Sequence, residues 1–198
     1  GEIFKTLKET GQDRNTLVVF SSDNGPWLPR HEYGGSAGLL REGKGSTWEG
    51  GMREPCLARW PGHIPAGKVS AAHGCMLDWL PTFAQAAGAK LPQGVTLDGQ
   101  DMADVLAGRS EGAERTFFYW NADDLRAVRR GPWKLHIATN TTEWAAKLTV
   151  LDKPALYNVR EDPSEKYDVA AAHPDLVAHL LALLKEHQAT IVQAPKQR

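Results

Sequence analysis

The chain has no long apolar run, almost no net charge and only two cysteines in 198 residues. Each shortage closes off a class of function. No stretch approaches the roughly 20 consecutive apolar residues of a membrane-spanning helix, so no membrane span is expected. Lysine and arginine total 23 against 24 acidic residues, for a formal net charge of -1. That balance offers no broad positive field to gather nucleic acid, and none is expected as a partner. Cys56 and Cys75 lie far apart without a metal-binding or redox spacing. They can be buried thiols, a disulfide or one of each, and they leave the compartment open. The chain opens on Gly-Glu-Ile-Phe, with no initiator Met, basic leader or apolar signal core, and truncation is the expectation. There is no internal repeat and no low-complexity segment.

What is present is enough apolar material to bury a core, 41% hydrophobic residues, in one large domain or two small ones. Ile3 and Leu7 at i, i+4 followed by Gly11 predict the end of a helix over residues 2 to 10. Thr16 to Ser22 is β-branched and continuously apolar, the pattern of a strand buried on both faces of a parallel sheet. Cys56 to Trp60 predicts a second short strand, closed by Pro61-Gly62. Asp78 is placed to cap a helix carrying Leu80, Phe83, Ala84 and Ala87 on one side and stopping at Gly88. A short helix is predicted from Asp101 to Leu106.

From there the pattern changes. Thr116 to Asn121, Leu125 to Arg129 and Trp133 to Ile137 predict an antiparallel meander with turns at Asp123-Asp124 and Gly131-Pro132. Tyr157 and Val159 can add a strand after a loop at 138 to 154. Pro174 suits the first turn of a last helix whose stripe is Leu176, Leu180 and Leu184 with Val177 and Leu181, and that helix should pack on the meander. Trp120, Trp133 and Trp144 are expected to serve packing.

Between Gly25 and Gly51 eight glycines are interleaved with charged and aromatic residues, and no periodicity remains. A connection this long is usually functional or disordered. Trp27, Tyr33, Leu39, Leu40, Trp48 and Met52 argue for order, because such side chains seek burial. At its entrance stands Ser22-Asp23-Asn24-Gly25, where a strand gives way to a loop, the place at which α/β sheets bind ligands. Asp23 offers an anionic oxygen and Asn24 a carbonyl oxygen, a mixture suited to Ca²⁺ or Mg²⁺. The plainer alternative, an Asn-Gly hairpin turn, sits badly with the Pro-Trp-Leu-Pro that follows. Two ligands cannot complete such a site, so others must come from elsewhere.

Lys44 lies in Gly43-Lys44-Gly45, where small neighbours would let an anion approach and the ammonium supplies a point charge. A solvated loop lysine is the plain alternative. A phosphate-binding P-loop is excluded, since Gly45 stands where its Ser or Thr should be. His31, His63 and His73 are candidates for acid/base work by residue type alone, and the plainer reading of each is a loop or packing residue.

Taken in order, several blocks resemble the sulfatase family, above all the branch of arylsulfatase A and galactosamine-6-sulfatase. They are residues 16–26 (Thr-Leu-Val-Val-Phe-Ser-Ser-Asp-Asn-Gly-Pro), 34–55, with Gly-Lys-Gly-Ser-Thr-Trp-Glu-Gly-Gly, 60–64 (Trp-Pro-Gly-His-Ile), 77–82 (Leu-Asp-Trp-Leu-Pro-Thr), 97–99 and 156–165. The resemblance implies an α/β, alkaline-phosphatase-like fold. Residues 1–112 would be the latter part of its large domain, and 113–198 a small antiparallel sheet packed on a C-terminal helix. It implies metal ligation by Asp23 and Asn24, with Ca²⁺ favoured over Mg²⁺, and sulfate contact by Lys44 as the catalytic cation. His31, in the same loop, joins Lys44 as a substrate-binding candidate.

The resemblance also implies sulfate-ester hydrolysis by a formylglycine nucleophile, made from a Cys/Ser-x-Pro-Ser/Ala-x-Arg motif that these residues do not contain. The nucleophile, further metal ligands and the amino-terminal half are thus expected outside this chain, which alone should be inactive. The substrate would be a small sulfate ester or a sulfated glycan, and the family suggests a periplasmic, secreted or lysosome-like setting. Two other functions fit the same residues: a phosphodiesterase or phosphonate hydrolase of the superfamily, and a non-catalytic module that binds sulfated ligands.

Overall fold

The computed structural model describes residues 1–142 and 148–192, so Trp144 lies outside the described residues. In chain order the elements are α1 (Glu2–Glu9), β1 (Val18–Ser21), α2 (Glu49–Met52), β2 (Cys56–Arg59), α3 (Trp79–Ala86), α4 (Ala103–Leu106), β3 (Thr116–Asn121), β4 (Asp124–Arg130), β5 (Trp133–Thr139), β6 (Thr149–Asn158) and α5 (Pro174–Thr190). Contacts divide them into two compact units: Gly1–Asp23 with Pro55–Glu114, and Asn24–Glu54 with residues from Arg115 onward.

In the first unit β1 pairs antiparallel with β2, Phe20 opposite Leu57. Both side chains are 67% exposed. The expectation of a parallel strand covered on both faces is therefore corrected for the described residues. An apolar run says that a strand can be buried, but the direction of its neighbour is set by long-range pairing that the run does not encode. Arg59 of β2 forms a 2.7 Å ion pair with Asp13, and the Trp60 indole donates to the Arg14 carbonyl at 3.0 Å.

Asp78 also acts differently from its expected role. Its carboxylate makes no cap bond to α3; it accepts the backbone N–H groups of Cys75 at 2.7 Å and Gln100 at 2.8 Å. The Gln100 bond ties the start of the helix to a distant loop. Leu80 and Phe83 are exposed, and Pro81 and Thr82 form the buried face, with the Met102 N–H donating to the Thr82 hydroxyl at 2.9 Å. Gly88, at φ +64°, follows the helix as expected. Cys56 is exposed, Cys75 half-buried, and no disulfide joins them.

The second unit holds the meander, with strand order β3-β4-β5-β6 and every pairing antiparallel. The last strand runs through the segment read from sequence as a loop, starting at Thr149. Alternation gives this sheet two faces. Leu135 of β5, Val128 of β4 and Leu156 of β6 pack against Leu180 and Leu184 of α5, with Trp120 and Trp133 at the margin. On the last helix Leu176, Val177, Leu180 and Leu184 pack as the expected stripe, while Leu183 joins them in place of Leu181, which is 36% exposed. The opposite face carries Arg129, Lys134, His136 and Tyr157, and it too is buried, because residues 41 to 49 lie across it.

Candidate functional site

Two polar side chains pointing the same way from β5, Lys134 and His136, would ordinarily face water. Here both are fully buried, and their partners explain how. The Lys134 ammonium lies 3.0 Å from the Glu49 carboxylate and 3.2 Å from that of Glu165. Arg129 donates to the other Glu49 oxygen at 2.9 Å. Two carboxylates thus face two cations, a balance without which buried charges are very costly. The Glu49 backbone N–H donates to Glu165 at 2.6 Å, joining the chain at α2 to the same network.

His136 completes it. Its Nε2 is 2.8 Å from Glu165 Oε1, and its ring stacks on Trp48 at 4.2 Å. Burial depresses the imidazole pKa to about 4 against the pull of Glu165, so the ring is neutral and donates through Nε2. Burial acts most strongly on Glu165 and pushes its pKa up, but the His136 bond, the Lys134 charge and the Glu49 N–H together hold it below the ordinary carboxylate value. Arg41 closes the cluster from the loop side, stacking over Trp48 at 3.7 Å and donating to the Glu165 carbonyl at 2.9 Å.

Arg41 and Glu49 bracket the segment that carries Lys44, so this network fixes both its ends. Further bonds hold its middle. The Lys44 N–H donates to the Pro26 carbonyl at 2.9 Å, and the Gly45 carbonyl accepts from Asn121 at 2.6 Å and Asn140 at 2.7 Å. The Lys44 side chain itself is exposed.

The same segment grips the chain just after Asn24. The Gly25 N–H donates to the Gly51 carbonyl at 3.1 Å. A Cβ on Gly25 would stand 1.8 Å from the Gly50 carbonyl oxygen, and one on Gly43 would stand 2.4 Å from that of Pro26. Glycine is required at both positions because backbone meets backbone there. Asn24 and Lys44 are therefore rooted on one woven piece of chain, through Pro26.

Asp23 is exposed and lies two residues beyond the end of β1. As a carboxylate and an amide carbonyl on consecutive residues, Asp23 and Asn24 fit a hard divalent cation by donor chemistry. Among the described residues no group of three or more His, Cys, Asp or Glu is arranged to hold a metal. His31 stands on a separate turn, closed by the Trp27 N–H donating to Gly34 at 2.9 Å. Its ring is exposed and its backbone lies at φ 50°, ψ -129°, a conformation that is strained outside glycine.

Sequence reasoning did not single out Glu49, Arg129, Lys134, His136, Glu165, Asn121 or Asn140. The signal for Lys134 and His136 was their i, i+2 spacing in a predicted strand. What it lacked was any indication that the polar face would be covered.

The carboxyl-terminal residues 112–198 match the model of the C-terminal region of aryl-sulfatase, and residues 1–89 match the sulfatase model. Human arylsulfatase A is 40% identical over all of this chain and 43% of its own length. The dog N-acetylgalactosamine-6-sulfatase is 32% identical over all of this chain and 42% of its own length. The structure of the PsFucS1 sulfatase from Pseudoalteromonas sp. superposes with a TM-score of 0.88 at 31% identity, over 100% of this chain and 42% of that one. The chain thus spans less than half the length of the relatives it matches. Its fold is that of the alkaline-phosphatase-like sulfatases, a mixed α/β part followed by a four-stranded antiparallel sheet and a final helix. The chain belongs to the sulfatase family.

Proposed function

We propose that the whole protein to which these residues belong hydrolyses sulfate esters, with Asp23 and Asn24 as ligands of a divalent metal and Lys44 as the cation that meets the sulfate. The observation that carries this reading is the Lys44 N–H bond to Pro26 at 2.9 Å, which roots the lysine two residues from Asn24. Family membership supports the reaction class, and the oxygen donors support Ca²⁺, with Mg²⁺ as the second choice. A formylglycine outside these residues is proposed as the nucleophile, whose hydrated aldehyde supplies the attack on sulfur.

The role of this chain's own residues follows from charge. A sulfate ester carries one negative charge, and more of it moves onto the sulfate and leaving oxygens as the ester bond breaks. Lys44 presents a compact ammonium on a stem whose backbone is already held, so little reorganisation is needed as that charge grows. A bound divalent cation would add Lewis-acid stabilisation of the same oxygens. The polar Asp23 and Asn24 would orient that ion. His31, exposed on a separate turn of the same loop, is proposed to contact the alcohol part of the substrate. Small sulfate esters and sulfated sugars are the proposed substrates, the latter in keeping with a relative named for N-acetylgalactosamine 6-sulfate.

The test compares 4-nitrophenyl sulfate with 4-nitrophenyl phosphate on the full-length protein, before and after Lys44→Ala. Sulfate turnover that falls by roughly 100-fold or more in the variant is the expected result. Preference for the phosphate ester would favour a phosphohydrolase, and undiminished turnover in the variant would remove Lys44 from the site.

A further inference from the structure

The carbonyl of Gly45 has two lone pairs, and both are taken by side-chain amides: Asn121 at 2.6 Å and Asn140 at 2.7 Å. Two amides from separate parts of the chain converging on one loop carbonyl is more than loop closure needs. Asn121 ends β3, and Asn140 directly follows β5.

The orientation of Asn140 is forced. Its Oδ1 accepts from an Arg126 guanidinium N–H, so the NH₂ end must be the one turned to Gly45. The second N–H of that amide goes to the Thr141 carbonyl at 2.8 Å. Arg126 is in turn 3.4 Å from Asp124. Asn140 is 8% exposed and Arg126 5%. A chain of polar contacts therefore runs from the β4 entrance, through Arg126 and Asn140, to the residue after Lys44.

Lys44 is bracketed as a result. Its own N–H is held by Pro26 and the next residue's carbonyl is held by the two amides, with Gly45 at φ +89° making the bend between them. Four backbone dihedrals separate the two anchors. Fixing both limits the directions in which the lysine stem can leave the loop.

We propose that Asn140 and Asn121 are positioning residues for Lys44, acting through the Gly45 carbonyl to aim its ammonium at the sulfate group. The proposal rests on the sulfatase reading given above. A misdirected charge costs transition-state stabilisation even when the fold survives, because the benefit of preorganisation depends on geometry.

The test uses the full-length protein with Asn140→Asp, which keeps shape and the Arg126 contact but removes the donors to Gly45, and Asn121→Ala, which alters a half-buried strand end. Turnover of 4-nitrophenyl sulfate and competitive inhibition by inorganic sulfate are measured with the melting temperature, beside Lys44→Ala. Expected is a loss in kcat/KM on the order of 10- to 100-fold in each asparagine variant, weaker inhibition by sulfate, and a melting temperature within a few degrees of wild type.

If Lys44→Ala abolishes turnover while both asparagine variants stay within about twofold of wild type, the clamp is overturned and the sulfatase reading stands. A loss confined to Asn140→Asp that disappears when the assay is cooled below its melting transition also overturns it, as a stability effect alone. If Lys44→Ala leaves turnover unchanged, Lys44 is outside the site and the clamp fails with it, whereas absence of sulfate-ester turnover in the wild-type protein would overturn the sulfatase reading itself.

Discussion

Lys134 and Glu49 meet at 3.0 Å with neither side chain touching water, a buried ion pair that joins the middle of the small sheet to the helix following the Lys44 segment. Glu165 shares the same ammonium at 3.2 Å. Removing the ammonium would leave Glu49 to Arg129 and take from buried Glu165 the cation it shares with Glu49. Lys134→Met is therefore expected to destabilise the protein by about 3–5 kcal/mol, the range for breaking one side of a buried pair. Urea unfolding measures it, and a loss below about 1 kcal/mol would mean that the carboxylates find water instead.

Acid should weaken the same unit. His136 takes a proton near pH 6.5 when unfolded but only near pH 4 in place. Between those values the unfolded chain binds more protons, so stability falls as pH drops through the window, by roughly 3 kcal/mol in all. Glu165, whose pKa is lowered in the fold, adds loss in the same direction at lower pH. Melting temperatures measured from pH 7 to pH 4 should decline, and His136→Gln should flatten the part of that decline above pH 4.

Gly25 predicts a backbone effect without any lost side chain. Its Cβ would lie 1.8 Å from the Gly50 carbonyl oxygen, and main chain cannot swing aside as a side chain can. Gly25→Ala should cost about 2 kcal/mol or more and loosen Asn24 with it. Far-UV circular dichroism through thermal melting reads the first effect, and a raised metal requirement reads the second.

Metal dependence gives a fourth expectation, built on the proposed roles of Asp23 and Asn24. In the full-length protein, Asp23→Ala should weaken Ca²⁺ binding, measured by calorimetry after chelation, by on the order of 100-fold or more, since it removes the anionic oxygen. Asn24→Ala, which removes a neutral oxygen, should weaken it less. Equal affinity in wild type and both variants would place the metal elsewhere.

Much of the fold was legible from patterns that depend on neighbours in the chain. The meander was visible because the aromatic and β-branched runs at Thr116 to Asn121, Leu125 to Arg129 and Trp133 to Ile137 are separated by short turn signals. The last helix was visible in Pro174 and its leucine stripe. The ordered blocks around Asp23, Asn24 and Lys44 were enough to identify the family, because glycines that backbone packing requires and polar residues at fixed spacing leave a specific trace. Strand direction for Val18–Ser21 and the buried face of Trp79–Ala86 were not legible, since both depend on what lies alongside.

Local spacing and residue chemistry placed most of the helices and strands and singled out Asp23, Asn24 and Lys44 as the candidates for binding a ligand. They work over a few residues, where backbone sterics and side-chain period dominate. The burial of Lys134 and His136, the convergence of Asn121 and Asn140 on Gly45, and the capture of Glu49 by Arg129 came from folding itself. Those partners are separated by 76 to 95 residues in the clamp and by 80 in the Glu49–Arg129 pair. No periodicity reaches that far, and the free energy of pairing charges and amides away from water depends on three-dimensional neighbours.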